Sequence, residues 1–187
     1  FPTRRSSDLI QKRSEGEFGK TTVHQFVLSG SGRLAEEPAV RTRHIEFIGN
    51  SLTCGYGTDG KHRDEPFLVE TENCNLTFAS MVARYYDADY TLIAHSGRGA
   101  ARNYGDSVRV SKVTMKDRML NTFDEDLTHK WNFKEYRPDL VVINLGSNDF
   151  STEPHPYKSE FTKAYKQILA QLREHYGDIP ILCIYPV

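Results

Sequence analysis

His44-Ile45-Glu46-Phe47-Ile48-Gly49-Asn50-Ser51-Leu52-Thr53 is the stretch on which the reading of this chain turns. Ile45 to Ile48 are largely apolar and read as a short buried strand. Gly49 then lets the backbone turn sharply, and Ser51 follows at the turn. A serine so placed stands at the C-terminal end of a sheet strand, where open α/β folds keep their ligand sites. The strand holds the hydroxyl and the turn exposes it, which is the physical logic of a strand-to-turn nucleophile. Alone, Gly-x-Ser after a strand is weak evidence, because such a serine more often caps the following helix.

The sequence around it alternates between two periods. A Gly-containing, charged loop runs from Gly55 to Pro66, and an amphipathic helix is expected over Asn75 to Tyr86, with Phe78, Met81, Val82 and Tyr85 on one face. Tyr90 to Ala94 reads as a strand ending in His95-Ser96-Gly97-Arg98-Gly99. Met115 to Phe123 reads as a short helix and Trp131 to Arg137 as loop. Leu140-Val141-Val142-Ile143-Asn144-Leu145 is a nearly continuous apolar run, as expected of a parallel strand covered on both faces, and it ends in Gly146-Ser147-Asn148-Asp149. A helix is expected from Ser159 to Tyr176, with Phe161, Ala164, Tyr165, Ile168 and Leu172 inward and Gly177 past its end, then a last strand from Ile181 to Tyr185. Alternating strands and helices imply an α/β fold with a parallel sheet and right-handed crossovers.

Upstream the grammar differs. Thr21 to Leu28 reads as a strand, Ser29 to Gly32 as a joint and Arg33 to Thr42, with Pro38, as a linker. A lone strand is no domain, so residues 10–32 read as the tail of a preceding β-sandwich, 33–42 as linker and 43–187 as the α/β domain. Phe1 to Leu9 has no helix or strand period and resembles the in-frame translation of a common sequencing adapter, which places residues 1–9 outside any fold argument.

The 187 residues carry a formal net charge of −1. That balance gives no reason to expect nucleic acid or an anionic membrane as partner, and no apolar run approaches the ~18 residues of a membrane helix. Three cysteines, Cys54, Cys74 and Cys183, make no disulfide framework, although Cys54 and Cys74 are open to pairing. The seven histidines are scattered, with no metal-ligand spacing.

In a parallel sheet the C-terminal strand ends share one edge. Here three of them carry polar, Gly-containing sequence: Gly49-Asn50-Ser51, Ser96 to Gly99, and Gly146 to Asp149. Ser51 supplies a hydroxyl, Gly97 a backbone N–H that can approach a substrate closely, and Asn148 an amide donor. Donors preset toward a tetrahedral oxyanion usually contribute more to acyl-transfer catalysis than any other single effect.

These blocks resemble the SGNH (GDSL-like) hydrolase superfamily, named for its Ser, Gly, Asn and His, and within it carbohydrate esterase family 2, the acetylxylan-type esterases. The likeness lies in Ile45 to Gly57, Ala88 to Gly99 and Pro138 to Phe150, in order, and extends upstream to Glu15-Gly16-Glu17-Phe18-Gly19 and Phe26-Val27-Leu28. The resemblance implies a three-layer α/β/α fold preceded by the remnant of a jelly-roll β-sandwich. It implies Ser51 as nucleophile and an oxyanion hole made of the Ser51 N–H, the Gly97 N–H and the Asn148 side chain. It also implies removal of acetyl groups from plant cell-wall polysaccharide, of xylan or mannan type, through an acyl-enzyme, without metal or cofactor, by a secreted or periplasmic bacterial protein.

Two departures stand out. The commoner Gly-Asp-Ser reads Gly49-Asn50-Ser51, where Asn50 is expected to keep a local hydrogen bond while removing a charge. The family's base sits in an Asp-x-x-His loop after the last strand and before the final helix, and the sequence stops at Val187, before that loop. The expectation is a truncated hydrolase domain, inactive or nearly so, because serine without a base is a poor nucleophile. His155, in the loop after the Asn148 strand, and His95, just before the glycine block, are the stand-in candidates. Asp149 reads as a capping or loop carboxylate before a catalytic acid. Arg98 contacts sugar or pairs with a surface carboxylate, and Tyr56, Trp131 and Phe150 stack on sugar or form cleft wall. Two rival functions remain: another SGNH esterase or lipase-type hydrolase, against which the charged Gly57–Pro66 loop argues, and a non-catalytic carbohydrate-binding protein.

Overall fold

The computed structural model describes residues 11–28, 30–34, 36 and 39–184. Four strands, β1 (His44–Gly49), β2 (Asp89–Ala94), β3 (Leu140–Ile143) and β4 (Ile181–Cys183), form one sheet in the order β2-β1-β3-β4, parallel throughout. The chain steps from β1 to β2 on one side, then returns across β1 to β3. That reversal makes the ends of β1 and β3 the topological switch point, where doubly wound folds bind ligands. Four helices accompany the sheet: α1 (Ser51–Cys54), α2 (Phe78–Tyr85), α3 (Met115–Arg118) and α4 (Lys158–Tyr176).

The period-2 alternation of β1 sorts its side chains onto two cores. Ile45 and Phe47 pack with Val142, Ala79, Ala83 and Ala88 under α2. Ile48 packs with Val141, Ile143, Met115, Met119, Ile168 and Leu172 under α3 and α4. The architecture is therefore three-layered. α4 buries Ala164, Ile168, Leu172 and Tyr176, the face its 3.6-residue period predicts, with Phe161 and Tyr165 packed beside it.

α2 differs from expectation. It buries Ala79, Ser80 and Ala83, while Met81, Val82 and Tyr85 face outward, Tyr85 with 82% of its surface exposed. Small side chains let this helix lie close to the sheet, and hydrophobicity alone pointed to the wrong face. The helix also starts later than the apolar pattern suggests, at Phe78, because Thr77 accepts the Ser80 N–H and Asn73 caps the preceding short turn.

Other boundaries shift for comparable local reasons. β3 ends at Ile143, although the Asn144 N–H still donates to Ile48 O at 2.8 Å. The helix expected over Met115–Phe123 closes at Arg118, because the next residues turn back into an isolated bridge between Asn121 and Lys130. β4 ends at Cys183, and Tyr185, the expected last residue, lies outside the described residues.

Residues 21–28 form no strand, and their apolar side chains are exposed, because they find no neighbouring strand among the described residues with which to hydrogen-bond. The segment before them is docked on the α/β layers instead. Arg13 O accepts the Cys74 N–H at 3.2 Å, and Arg13 pairs with Asp59 at 2.6 Å. The adapter-like residues 1–9 lie outside the described residues.

One side chain of β1 breaks the apolar pattern. Glu46 is fully buried at the α4 face, where its carboxyl accepts the hydroxyls of Tyr176 at 2.7 Å and Tyr136 at 3.0 Å. Burial pushes this carboxyl above the usual range, against the pull of the two hydroxyls. Trp131, a candidate sugar platform by sequence, packs toward Tyr136 in this part of the molecule rather than among the three strand-end blocks.

Candidate active site

The sheet brings the three predicted blocks to one edge and stitches them together. Asn50 caps α1, taking the Leu52 N–H on Oδ1 at 3.2 Å, and its Nδ2 donates to Ser147 Oγ at 2.9 Å. The carboxamide thus keeps the local bond expected of it and links the end of β1 to the end of β3. Asn148 Nδ2 donates to Arg98 O at 2.8 Å, linking β3 to the glycine block. Asp149 completes the frame: Oδ1 accepts the N–H groups of Ala101 and Arg102 at 2.7 and 2.9 Å, and Oδ2 that of Ala100 at 3.0 Å. Burial pushes the Asp149 carboxyl up while the three donors pull it down. It is an anchor for the glycine loop, as a loop carboxylate should be.

Two glycines are required here for different reasons. A Cβ on Gly49 would lie 2.0 Å from Thr53 Oγ1, so α1 could not fold back so tightly. The need at Gly49 is space rather than a left-handed turn. Gly97 has φ +74°, a conformation that side chains disfavour, although a Cβ there would meet only Tyr104 Cβ at an ordinary 3.9 Å.

Within this frame Ser51, half-buried, opens α1. Neither the Ser51 N–H nor the Gly97 N–H donates to another of the described residues, and one N–H of the Asn148 carboxamide is committed to Arg98 O. The hydroxyl of Ser51 likewise has no hydrogen-bond partner among the described residues.

Candidate bases are engaged elsewhere. His95 is buried, with Nδ1 bonded to Asp124 and Nε2 3.6 Å from Glu17. Burial works against ionisation of Asp124, but His95 and Arg118 outweigh it and hold the carboxyl below the usual range. His155 lies on the exposed loop, 3.3 Å from Glu153. His44 bonds Thr91, His129 bonds Asp126 and His175 stacks on Phe133. His24 and His62 are exposed on irregular segments. None of these imidazoles bonds Ser51.

Candidate substrate contacts are placed as follows. Tyr56 donates its N–H to Ser51 O at 3.1 Å, and its ring, half exposed, stacks on Phe67 at 3.6 Å. Phe150, also half exposed, packs against Phe161 at 5.0 Å. Arg98 forms no ion pair among the described residues, and its buried Nε has no partner. Of the two readings of Arg98, the surface pair is therefore absent there.

Three clusters among the described residues have donor types that metals use. Glu15, Cys54 and Glu72 converge with their ligand atoms within 4.8 Å of one another, as do Glu15, Glu17 and His95, and His95, Asp124 and Glu125. All three cysteines are free thiols, so Cys54 and Cys74 are not bridged. Sequence reading placed Glu15 only in the upstream block of the resemblance, with no role, and passed over Glu72: glutamates in polar, Gly-containing segments carry no burial signal.

An α/β sheet with Ser, Gly and Asn blocks at the switch point defines a hydrolase-like scaffold. The chain belongs to the GDSL-like lipase/acylhydrolase family, which it matches over residues 47–187. It is 37% identical over 175 residues to the cellulase/esterase CelE of Acetivibrio thermocellus, an alignment spanning 94% of this chain and 21% of the relative. To an acetylxylan esterase/glucomannan deacetylase of Cellvibrio japonicus it is 42% identical over 115 residues, 60% of this chain and 31% of the relative. The solved family two carbohydrate esterase of Clostridium thermocellum, in complex with cellohexaose, superposes with a TM-score of 0.77 at 38% identity, over 84% of this chain and 47% of that one. The chain thus spans less than half the length of these relatives.

Proposed function

We propose that the protein is a serine esterase that removes O-acetyl groups from plant cell-wall polysaccharide of xylan or mannan type. The observation that carries this reading is the pairing of fixed and free groups at three strand ends. Asn50, Asp149 and the Asn148–Arg98 bond hold the loops, while the Ser51 hydroxyl and the N–H groups of Ser51 and Gly97 stay uncommitted beside them. Preorganised donors cost no rearrangement when charge develops on the substrate oxygen.

In the reaction, Ser51 Oγ attacks the acetyl carbonyl carbon and its proton passes to a base. The carbonyl oxygen becomes an oxyanion received by the Ser51 and Gly97 N–H groups and the Asn148 side chain. Collapse releases the sugar hydroxyl, which takes up the proton, and water then hydrolyses the acetyl-serine by the same route. The relatives named for xylan and glucomannan, and the one bound to cellohexaose, support a β-linked glycan as the alcohol, with Arg98, Tyr56 and Phe150 as its contacts. Secretion is part of the same proposal, and no helix among the described residues is long and apolar enough to cross a membrane.

The test is acetate release from acetylated xylan and glucomannan by the gene product that contains this chain. Ser51→Ala should abolish release while leaving glycan binding intact. Unchanged release in Ser51→Ala refutes the assignment. Binding of glycan with no release by the unmodified product would instead support a carbohydrate-binding protein.

A further inference from the structure

Glu15 lies outside the three strand-end blocks, in the segment that precedes the sheet, yet it is only 8% exposed and reaches both sides of the site. Its Oε2 accepts the Ser96 N–H at 2.7 Å and lies 3.5 Å from Cys54 Sγ. Ser96 immediately precedes Gly97, and Cys54 closes α1, the turn that Ser51 opens. One carboxylate therefore spans the glycine block and the nucleophile turn.

Glu15 is itself held. Its N–H donates to the buried Glu72 carboxylate at 2.9 Å, and Lys12 Nζ donates to Glu15 O at 2.7 Å. Beyond Ser96 the loop is fixed from the other side, where the Tyr104 N–H donates to Gly97 O at 2.8 Å. The peptide carrying the Gly97 N–H sits between these two attachments. Hydrogen bonds to a buried carboxylate are among the stronger ones, and without Glu15 the Ser96 N–H loses its acceptor.

We propose that Glu15 is a positioning residue for the oxyanion hole, holding Ser96-Gly97 against α1 so that the Gly97 and Ser51 N–H groups address one substrate oxygen. The proposal rests on the acyl-transfer reading of Ser51. Glu15 touches neither substrate nor nucleophile and acts through Ser96 and Cys54.

Two variants separate this role from simple packing. Glu15→Met keeps the side-chain volume and removes both acceptors. Glu15→Gln keeps an oxygen for the Ser96 N–H and brings an amide to the Oε1 position, which has no donor now, beside Glu72, whose Oε1 also lacks one. In the gene product containing this chain, Glu15→Met should lower kcat for 4-nitrophenyl acetate about 10–100-fold with KM within about threefold, since aim rather than binding is lost. Glu15→Gln should stay within about threefold of the unmodified rate.

A second readout needs no turnover. In amide NMR spectra of this chain, Glu15→Met should shift or broaden Ser96 and Gly97 while β1 and β3 resonances hold, and Glu15→Gln should leave all of them in place. Unmoved Ser96 and Gly97 resonances in folded Glu15→Met, or an equal loss of kcat in both variants, overturns the proposal. A silent Ser51→Ala refutes acyl transfer, whereas the amide readout still judges whether Glu15 holds the loop.

Discussion

Removing the Asp149 carboxylate should cost as much stability as truncating a large apolar side chain of the core. The side chain is fully buried and supplies the acceptors for three backbone N–H groups, those of Ala100, Ala101 and Arg102. Each buried donor stripped of its partner costs about 1–3 kcal/mol. Three would cost about 3–9 kcal/mol without relaxation, and water entering the space left in Asp149→Ala should bring the loss to about 3–6 kcal/mol. That is a large share of the ~5–15 kcal/mol typical of a whole domain. Asp149→Asn is graded by geometry: its one oxygen, placed at Oδ1, still serves Ala101 and Arg102, and only Ala100 faces an amide. Its cost should be about 1–3 kcal/mol. Urea unfolding followed by far-UV circular dichroism checks both, with the midpoint falling at unchanged slope. A loss below about 1 kcal/mol in Asp149→Ala, or equal losses in the two variants, refutes the three-donor anchor.

Asn50→Ala removes both the α1 cap and the bond to Ser147 and should lower stability in urea unfolding by about 1–3 kcal/mol, whereas Asn50→Asp, whose carboxylate can accept from the Ser147 hydroxyl, should cost under about 1 kcal/mol. Stability should also fall as pH rises from 5 to 8. Burial pushes the Glu72 carboxyl up to about 7 from an ordinary 4.5, and burial raises Glu46 too, so the folded state holds protons that the unfolded chain has released. The contribution is complete below about 4.5 and is lost through the folded value, at about 1.4 kcal/mol per unit of separation. Thermal unfolding at pH 5 and 8 should show the drop, and Glu72→Gln should flatten it; an identical pH slope in that variant counts against the assignment.

The strand-end blocks were legible in the sequence because each combines a run of β-branched residues with an abrupt polar, Gly-containing end. Leu140 to Ile143 announces burial on both faces, Ile45 to Ile48 reads as a short buried strand, and α4 declares its inner face by period. The inner face of α2 was not legible, because Ala79, Ser80 and Ala83 are weakly hydrophobic and owe their burial to size. Thr21 to Leu28 has the composition of a strand, yet a strand needs a partner, and partners are not written in local sequence. Asp149 was readable as a loop carboxylate from its type and position. Glu15, Glu46 and Glu72 were not, since a carboxylate accepting tyrosine hydroxyls or backbone N–H groups looks in sequence like any surface acid. The scatter of histidines was visible at once, but the commitments of His95 to Asp124 and His44 to Thr91 emerge only in three dimensions.

Anchors and free groups alternate at two of the strand-end loops, where Asn50 is tied and Ser51 free, and Ser96 tied and the Gly97 N–H free; at the third, Ser147 and Asp149 are tied and Asn148 keeps one amide N–H on Arg98 O. Such loops resist changes in length far more than changes in chemistry. Adding or deleting one residue would exchange the tied position for the free one, so the frame and the reactive groups would fail together. Substitutions at Arg98, Tyr56 or Phe150 leave that alternation untouched. On the proposed reading of the site, a scaffold of this kind can be retuned from one glycan to another by side-chain replacement alone, while its loop lengths stay frozen.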